Sequence, residues 1–170
     1  MRKVVLTGYM GSGKSVIGAH LALQLGVPWI DLDAAIEKTT ALSIANLMAT
    51  RGELYFRKIE HQILTDLLQT EHEFVLSLGG GTPCYYENYK LFSQVESFFL
   101  KATVPTLVER LLPERHERPL LANLADSELE EFIAKHLFDR NFYYMQSKYS
   151  IAIDGKSVAE LVAEITKLLA

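Results

Sequence analysis

The sequence has one cysteine, no long apolar run and no excess of positive charge. Cys84 has no second cysteine to pair with, which excludes an internal disulfide and favours a reducing, cytoplasmic compartment. No segment approaches the roughly 18 consecutive apolar residues that a membrane-spanning helix needs. The net charge of −4 disfavours nucleic acid or an anionic membrane as the main partner. We therefore expect neither partner, and any affinity for anions must come from local Arg and Lys side chains.

What the sequence does contain is the composition and patterning of one globular domain. It has 170 residues, of which 49% are hydrophobic and 22% charged, values that are ordinary for a globular chain. Short apolar runs alternate with helical patterns, and this alternation is typical of βαβ units around a parallel sheet. We predict helices that begin near Lys14, Glu53, Val104 and Ser127. The predicted strands are Val4–Thr7, Trp29–Leu32, Phe74–Ser77, Ser97–Leu100 and Ser150–Ile153.

Two finer patterns concern the helices. Capping boxes are predicted at Ser127–Glu130 and Ser157–Glu160, where a Ser and a Glu three residues later can exchange hydrogen bonds with the backbone. The helix from Glu53 is expected to face the core with one stripe of residues, at Phe56, Ile59, Ile63 and Leu67.

Residues 8–15 form the most informative motif of the chain. They read Gly-Tyr-Met-Gly-Ser-Gly-Lys-Ser, match the phosphate-loop pattern G-x-x-x-x-G-K-[ST] and follow a predicted strand. Backbone N–H groups of such a loop surround phosphate oxygens, Lys14 can reach the β- and γ-phosphates, and the Ser15 hydroxyl suits Mg²⁺. We predict a nucleoside triphosphate site with Mg²⁺, formed by Gly11, Ser12, Gly13, Lys14, Ser15 and Val16.

Two carboxylates follow the second predicted strand, at the sheet edge where ligands of parallel α/β folds bind. The i, i+2 spacing of Asp31 and Asp33 would place both side chains on one face of that strand. Asp31 could hold a metal-bound water, and Asp33 could accept a hydrogen bond from a substrate hydroxyl. The alternative is that Asp33 only caps a helix over residues 34–38.

Other candidate residues admit two interpretations each. Arg57 and Glu60, at i, i+3, could form a functional ion pair or an ordinary exposed one. The run Gly79-Gly80-Gly81 after a strand could let a ligand approach the backbone or form a plain turn. Arg118 and Arg140 could bind phosphate or carboxylate with their guanidinium forks, or be solvated surface charges.

Segment 111–123 is charged and lacks a sustained period, so we predict that it is exposed and mobile and forms a lid. The alternative is a plain surface loop. The five histidines show no metal-binding spacing and are expected on surfaces or helix faces, and Cys84 has no evident base beside it. The guanine-reading sequence N-K-x-D is absent, which disfavours a GTPase.

Taken in order, these residues resemble the shikimate kinase family of small P-loop kinases. The resemblance rests on Gly8–Ser15, Asp31-Leu32-Asp33, Phe56-Arg57 with Glu60, Gly79–Gly81, Arg118–Leu121 and Arg140. It implies one P-loop kinase domain over residues 1–170. The implied fold is an α/β three-layer sandwich with a five-stranded parallel sheet of order 2-3-1-4-5, helices on both faces and a lid. A substrate-binding helical region would span about 33–61.

The resemblance also implies an activity, namely transfer of the γ-phosphate of ATP to the 3-hydroxyl of shikimate. The products would be 3-phosphoshikimate and ADP, in the chorismate and aromatic amino-acid pathway. Lys14 and the loop amides would bind the ATP phosphates, and Mg²⁺ would lie on Ser15 and, through water, on Asp31. Arg110 would stack on adenine, and Arg118 would move in with the lid to neutralise the γ-phosphoryl group.

On the substrate side, the resemblance implies that Arg57 and Arg140 grip the shikimate carboxylate. Asp33 would hold or deprotonate a ring hydroxyl, with the backbone of Gly79, Gly80 and Gly81 beside it. The catalytic residues would be Lys14, Asp33 and Arg118.

Two departures from the family pattern accompany this resemblance. The usual Arg-x-Pro-x-Tyr sequence has Phe142 in place of Pro, and the loop 154–157 lacks the Pro that usually faces adenine. The alternatives are another small-molecule P-loop kinase, similar to gluconate kinase or a nucleotide kinase, and a non-catalytic nucleotide-binding relative. No exposed apolar seam is evident in the sequence, and we expect a monomer.

Overall fold

The structure, a computed structural model that describes residues 2–170, is organised around five parallel strands. In chain order these are β1 (Lys3–Thr7), β2 (Trp29–Asp31), β3 (Phe74–Ser77), β4 (Glu96–Lys101) and β5 (Tyr149–Ala152). Their spatial order is β2-β3-β1-β4-β5, which confirms the expected order 2-3-1-4-5. The helices are α1 (Lys14–Leu25), α2 (Leu32–Thr40), α3 (Ile44–Arg51), α4 (Glu53–Gln69), α5 (Asn88–Phe92), α6 (Val104–Leu111), α7 (Asp126–Tyr144) and α8 (Val158–Leu169).

Helices cover both faces of the sheet, so the expected three-layer sandwich is confirmed. Successive residues of β1 point to opposite faces. Val4 and Leu6 pack into a core formed with α1, α6, α7 and α8, whereas Val5 packs into a second core with α2, α3, α4 and α5. Burial on both faces explains why β1, β3 and β4 appear in the sequence as nearly continuous apolar runs.

The predicted helix starts at Lys14, Glu53 and Val104 are confirmed. Of the two predicted capping boxes, one is confirmed and one is wrong. Ser157 accepts a hydrogen bond from Glu160 N at 3.2 Å and donates its own N–H to the Glu160 carboxylate at 2.7 Å, which confirms that box. The box at Ser127 is wrong, because α7 already begins at Asp126. Glu128 instead accepts from the N–H of Ala125 at 2.9 Å, so an alanine occupies the cap position.

The predicted stripe of α4 is shifted by one helical position. The helix buries Phe56 and Leu64 together with two charged residues, Arg57 and Glu60, while Ile59 and Ile63 are only partly buried. Apolar periodicity could not show this, because the buried charges satisfy each other and polar groups of the following loop. Because the buried face of α4 is rotated in this way, the Arg57 side chain reaches the loop at the carboxyl end of β3.

Two surface features complete the fold. Among residues 2–170 no helix combines the length and the apolarity that would let it cross a bilayer. Helix α7 exposes Phe138 and Phe142, and Met145 follows at its C-terminal end; these residues, at i, i+4 and i+7, have 82%, 60% and 58% of their surfaces accessible. This apolar stripe differs from the expectation that no such seam is exposed.

Substitution of Gly18 by Ala should destabilise the protein although Ala favours helices by about 1 kcal/mol. A Cβ at Gly18 of α1 would lie 2.5 Å from Ser77 Oγ and 2.7 Å from Trp29 Nε1, two atoms that are hydrogen-bonded to each other at 3.1 Å. We expect a loss of about 1–3 kcal/mol in the free energy of unfolding, measured by urea denaturation. In a Ser77→Ala background the same change should cost less, and a stabilised single variant would contradict this packing argument.

Candidate active site

The phosphate loop joins β1 to α1, as its sequence predicts. Gly8 has φ of 149°, and a Cβ there would lie 2.8 Å from both the Leu100 carbonyl oxygen and Ser12 Oγ, so only glycine fits. Gly13 occupies the cap position of α1 with φ of 93°, and no described side chain caps this helix. The first N–H groups of α1 therefore remain available to an anion, at the positive end of the helix dipole.

Lys14 is folded back onto the loop that carries it. Its Nζ donates to the carbonyl oxygens of Gly8 at 2.8 Å and Tyr9 at 3.0 Å. Burial lowers the pKa of Lys14 to about 8, although the carboxylates of Asp33 and Asp31 oppose that shift. An anionic ligand at the loop would favour the charged ammonium again.

The two aspartates have separate structural roles. Asp31 caps α2, since its Oδ1 accepts from Ala34 N at 3.1 Å, and its Oδ2 accepts from Ser15 Oγ at 3.2 Å. The capping alternative for Asp33 is therefore wrong. The expected strand geometry is also wrong, because β2 ends at Asp31 and Asp33 lies in the first turn of α2.

Asp33 nevertheless faces the site. A Cβ on Gly79 would lie 3.1 Å from its Oδ1, so the carboxylate lies against the glycine run. The pKa of Asp33 is raised to about 6, first by desolvation and then by the carboxylates of Asp31 and Glu60. The side chain remains open to solvent through the mouth of the pocket. The carboxyl group thus titrates close to neutral pH.

The run Gly79–Gly81 after β3 is the meeting point of two arginines. A Cβ on Gly80 would lie 3.4 Å from Arg140 Nη1, and one on Gly81 would lie 2.7 Å from Arg57 Nη2. Any side chain at Gly81 would displace a guanidinium group. Asp33, Arg57 and Arg140, which come from three helices, therefore converge on a single loop.

The pair formed by Arg57 and Glu60 is buried, so its interpretation as an exposed helix pair is wrong. Nη1 and Oε1 are 2.9 Å apart, and the two residues are 8% and 0% accessible. The guanidinium carbon also lies 4.0 Å from the centre of the Tyr85 ring. Glu60 therefore holds one edge of the Arg57 guanidinium group, and the Tyr85 ring packs against one of its faces.

Helix α7 presents three polar residues to the site, at His136, Arg140 and Tyr144. The Tyr144 hydroxyl donates to the Gly80 carbonyl oxygen at 2.6 Å, and His136 Nδ1 lies 2.9 Å from the Tyr9 hydroxyl of the phosphate loop. Desolvation, reinforced by Arg140, lowers the pKa of His136 to about 4, so the imidazole is neutral at pH 7. Sequence reasoning missed His136 and Tyr144, although both lie four residues from Arg140.

A cavity of about 510 Å³ connects the phosphate loop, the aspartates and the glycine run. Among the predicted nucleotide-binding residues, Ser12 is outside this lining, because it is buried and its N–H donates to Tyr9 O at 3.1 Å. Gly81, at the end of the glycine run, and the adjacent Arg57 and Arg140 are also outside the lining. The lining residues are Met10, Gly11, Gly13, Lys14, Ser15, Val16, Asp31, Asp33, Leu78, Gly79, Gly80, Arg110, Glu114 and Arg118.

The expected lid borders this cavity. Arg118 Nη2 lies 2.8 Å from Glu114 Oε2, and Arg110 Nη1 donates to Gly11 O at 3.1 Å. Most of segment 111–123 is at least partly exposed, but Leu111 and Leu121 are fully buried and fix its two ends in the core. The expectation of a wholly exposed segment is therefore wrong at these ends.

A cavity of similar size, about 570 Å³, lies at the amino ends of the strands. Its lining includes Arg2, Lys3, Glu73 and Glu96, and it contains no phosphate-loop residue. The phosphate loop, the two aspartates and the glycine run lie instead at the carboxyl ends of the strands, where ligands bind in parallel α/β folds.

Comparisons with known proteins agree with this geometry. The family model described as shikimate kinase matches residues 10–170. The chain is 49% identical to a shikimate kinase of Flavobacterium psychrophilum, over 99% of both chains, and 45% identical to one of Flavobacterium johnsoniae, over the full length of both.

Solved structures of similar proteins give the same result. A shikimate kinase from Bacteroides thetaiotaomicron has 34% identity and a TM-score of 0.90, with 99% of this chain and 98% of that chain covered. A shikimate kinase from Acinetobacter baumannii, in complex with shikimate, has 28% identity and a TM-score of 0.88, with 99% and 93% covered.

Substitution of Asp33 by Asn should raise the stability of the ligand-free protein at pH 7. The pKa of Asp33 in the folded state, about 6, exceeds its ordinary value of 3.8, so ionisation of this group opposes folding above that range. We expect a higher Tm for the variant at pH 7 and a difference that shrinks as the pH falls from about 6 to about 4. An equal or lower Tm at pH 7 would show that Asp33 is not destabilising.

Proposed function

The chain belongs to the shikimate kinase family of ATP-dependent phosphotransferases that act on an alcohol group, and we propose that it phosphorylates shikimate at the 3-hydroxyl. The products would be 3-phosphoshikimate and ADP, on the route to chorismate and the aromatic amino acids. The observation that carries the proposal is the convergence of Asp33, Arg57 and Arg140 on one glycine run beside the phosphate loop.

ATP would bind with its phosphates in the loop and at the first turn of α1. Lys14 would leave the carbonyl oxygens of Gly8 and Tyr9 and contact the β- and γ-phosphates. Arg110, which is exposed and hydrogen-bonded to the loop at Gly11 O, is placed to stack on adenine.

The residues at the loop also fit Mg²⁺. The adjacent oxygens of Ser15 and Asp31 are the hard ligands that this ion prefers, and residues 2–170 hold no cluster of three or more His, Cys, Asp or Glu that would form a complete protein cage. Such sparse protein ligation is typical of Mg²⁺ that is bound largely by phosphates and water. The ion, when bound, would offset phosphate charge.

Shikimate would bind at the glycine run, next to the phosphate loop. Its carboxylate would lie between the guanidinium groups of Arg57 and Arg140, which offer bidentate, charge-assisted hydrogen bonds. Asp33 and the Gly80 backbone would then hold ring hydroxyls. This orientation would direct the 3-hydroxyl toward the phosphate loop, where the γ-phosphate would lie.

Phosphoryl transfer requires alignment and charge neutralisation more than covalent chemistry. Asp33, whose pKa of about 6 leaves it ionised at pH 7, would orient the attacking hydroxyl or accept its proton. Lys14 and Arg118 would stabilise the charge that develops on the phosphoryl oxygens. Arg118 now pairs with Glu114, so it must exchange partners when the lid at 111–123 closes and excludes water.

We propose a cytoplasmic location and a monomeric state as well. The location is supported by the single cysteine, Cys84, which is free and partly buried. The monomeric state is testable by light scattering, and the exposed stripe of α7 at Phe138, Phe142 and Met145 is the surface most able to contradict it.

The proposed function predicts shikimate-dependent release of ADP. In a coupled assay with ATP and Mg²⁺, we expect rapid turnover with shikimate and only background rates with gluconate or AMP, since neither offers the same carboxylate and ring hydroxyls to Arg57, Arg140 and Asp33. Turnover with gluconate or AMP instead would support the alternative kinases. ATP binding without any turnover would support a non-catalytic relative.

Asp33→Asn should lower kcat by at least about 100-fold, the usual contribution of a positioned acid or base. The KM for ATP should change little, because the phosphates contact the loop and α1 rather than Asp33. Asp66→Asn is a matched control on the surface of α4, where Asp66 only accepts a hydrogen bond from Gln62, and its kinetics should be those of the wild type. Near-normal turnover of the Asp33 variant would remove Asp33 from the mechanism.

A further inference from the structure

The buried pair of Arg57 and Glu60 is held by a chain of hydrogen bonds that continues away from the cavity. Glu60 uses Oε1 for Arg57 and Oε2 to accept from the Thr82 hydroxyl at 2.7 Å. Thr82 is fully buried and follows the glycine run directly. Its N–H donates to the Gly79 carbonyl oxygen at 3.1 Å, so one residue fixes both the carboxylate and the turn of the loop.

Asn88 fixes Thr82 in turn. The Asn88 side chain is fully buried at the start of α5, and its Nδ2 donates to the Thr82 carbonyl oxygen at 2.9 Å. Its Oδ1 must then face His61 Nδ1, 2.7 Å away, which requires the proton on that ring nitrogen. The His61 ring stacks on Tyr86, with 5.3 Å between centroids.

The result is that the orientation of the Arg57 fork is determined from several sides. Nη1 is bound by Glu60, one face lies on Tyr85, and Nη2 lies against Gly81. Nε has no hydrogen-bond partner in residues 2–170, and Glu53 Oε1 lies 3.6 Å from it, beyond hydrogen-bond range. Because Nε is buried and lies in ion-pair range of Glu53, Nη2 is the donor that remains for an incoming carboxylate, and pairing with it needs the guanidinium held in register.

We propose that Thr82 and Asn88 are positioning residues for carboxylate recognition, which hold Glu60 and thereby the Arg57 fork in the orientation that grips the substrate. The inference rests on the proposed function, since it assigns these residues to the site where shikimate would bind. Both residues are fully buried, and their side chains bond to Glu60 and to the Thr82 carbonyl oxygen, so they act through Arg57 rather than on the substrate.

The test compares Thr82→Val with Thr82→Ser. Valine keeps the volume but removes the donor to Glu60, whereas serine restores it. For Thr82→Val we expect about a tenfold rise in the KM and in the calorimetric Kd of shikimate, the size of one charge-assisted hydrogen bond. The KM for ATP should stay within about twofold, and Thr82→Ser should recover most of the loss.

The methyl ester of shikimate separates positioning from general loosening of the structure. It lacks the carboxylate charge, so its kcat/KM should be nearly equal in wild type and Thr82→Val, while that of shikimate falls. Ser97→Ala is the control for loss of a buried hydroxyl, because Ser97 of β4 accepts from Lys148 N at 2.9 Å near the amino ends of the strands. Its kinetics should be unchanged.

His61→Phe provides a second variant if Thr82→Val does not fold. It keeps a ring on Tyr86 and loses the bond to Asn88, and we expect a rise of about two- to threefold in the Kd of shikimate. Equal losses for shikimate and its ester, or no loss in a folded variant, would overturn the inference alone. A wild-type protein that neither binds nor phosphorylates shikimate would overturn the proposed function and the inference with it.

Discussion

The ion pair between Arg57 and Glu60 is the interaction on which the proposed substrate half of the site depends. Removing two charges from water costs several kcal/mol per ion, and the cost is offset only if the geometry is good and the remaining polar atoms are satisfied. Here Glu60 is satisfied on both oxygens, by Arg57 and by Thr82. Arg57 keeps Nη2 without a hydrogen-bond partner in residues 2–170, and a ligand carboxylate could accept from it.

Helix α7 connects this substrate half to the nucleotide half. His136, Arg140 and Tyr144 lie at successive four-residue intervals, and they reach Tyr9 of the phosphate loop, the glycine run and the Gly80 carbonyl oxygen. A rigid helix that contacts both loops fixes the distance between them. In-line transfer needs such a distance to be held closely, because displacement by about 1 Å can cost two orders of magnitude in rate.

Much of the fold and part of the candidate site could be predicted from the sequence. The strands β1, β3 and β4 are buried on both faces, and the phosphate loop is a local structure set by its own glycines, so both were predictable. Asp33 lines the cavity, but the reasoning that led to this expectation was wrong, since strand alternation does not apply beyond Asp31. The burial of the pair formed by Arg57 and Glu60 depends on contacts distant in the sequence, such as the bond from Thr82 to Glu60, 22 residues apart, and no local pattern reports such contacts.

The opposite pKa shifts of Lys14 and Asp33 have the same origin. Burial lowers the pKa of Lys14 to about 8 and raises that of Asp33 to about 6, because each group has lost water that stabilised its charge. Mutual attraction does not compensate, since Asp31 and Glu60 repel Asp33 while Arg118 and Arg140 repel Lys14. A triphosphate beside Lys14 and a carboxylate between Arg57 and Arg140 would relieve the repulsion among the cations. Under the proposed function, ATP and the acid would together supply the negative charges that these cations lack, and recognition of the two ligands would be linked through electrostatics.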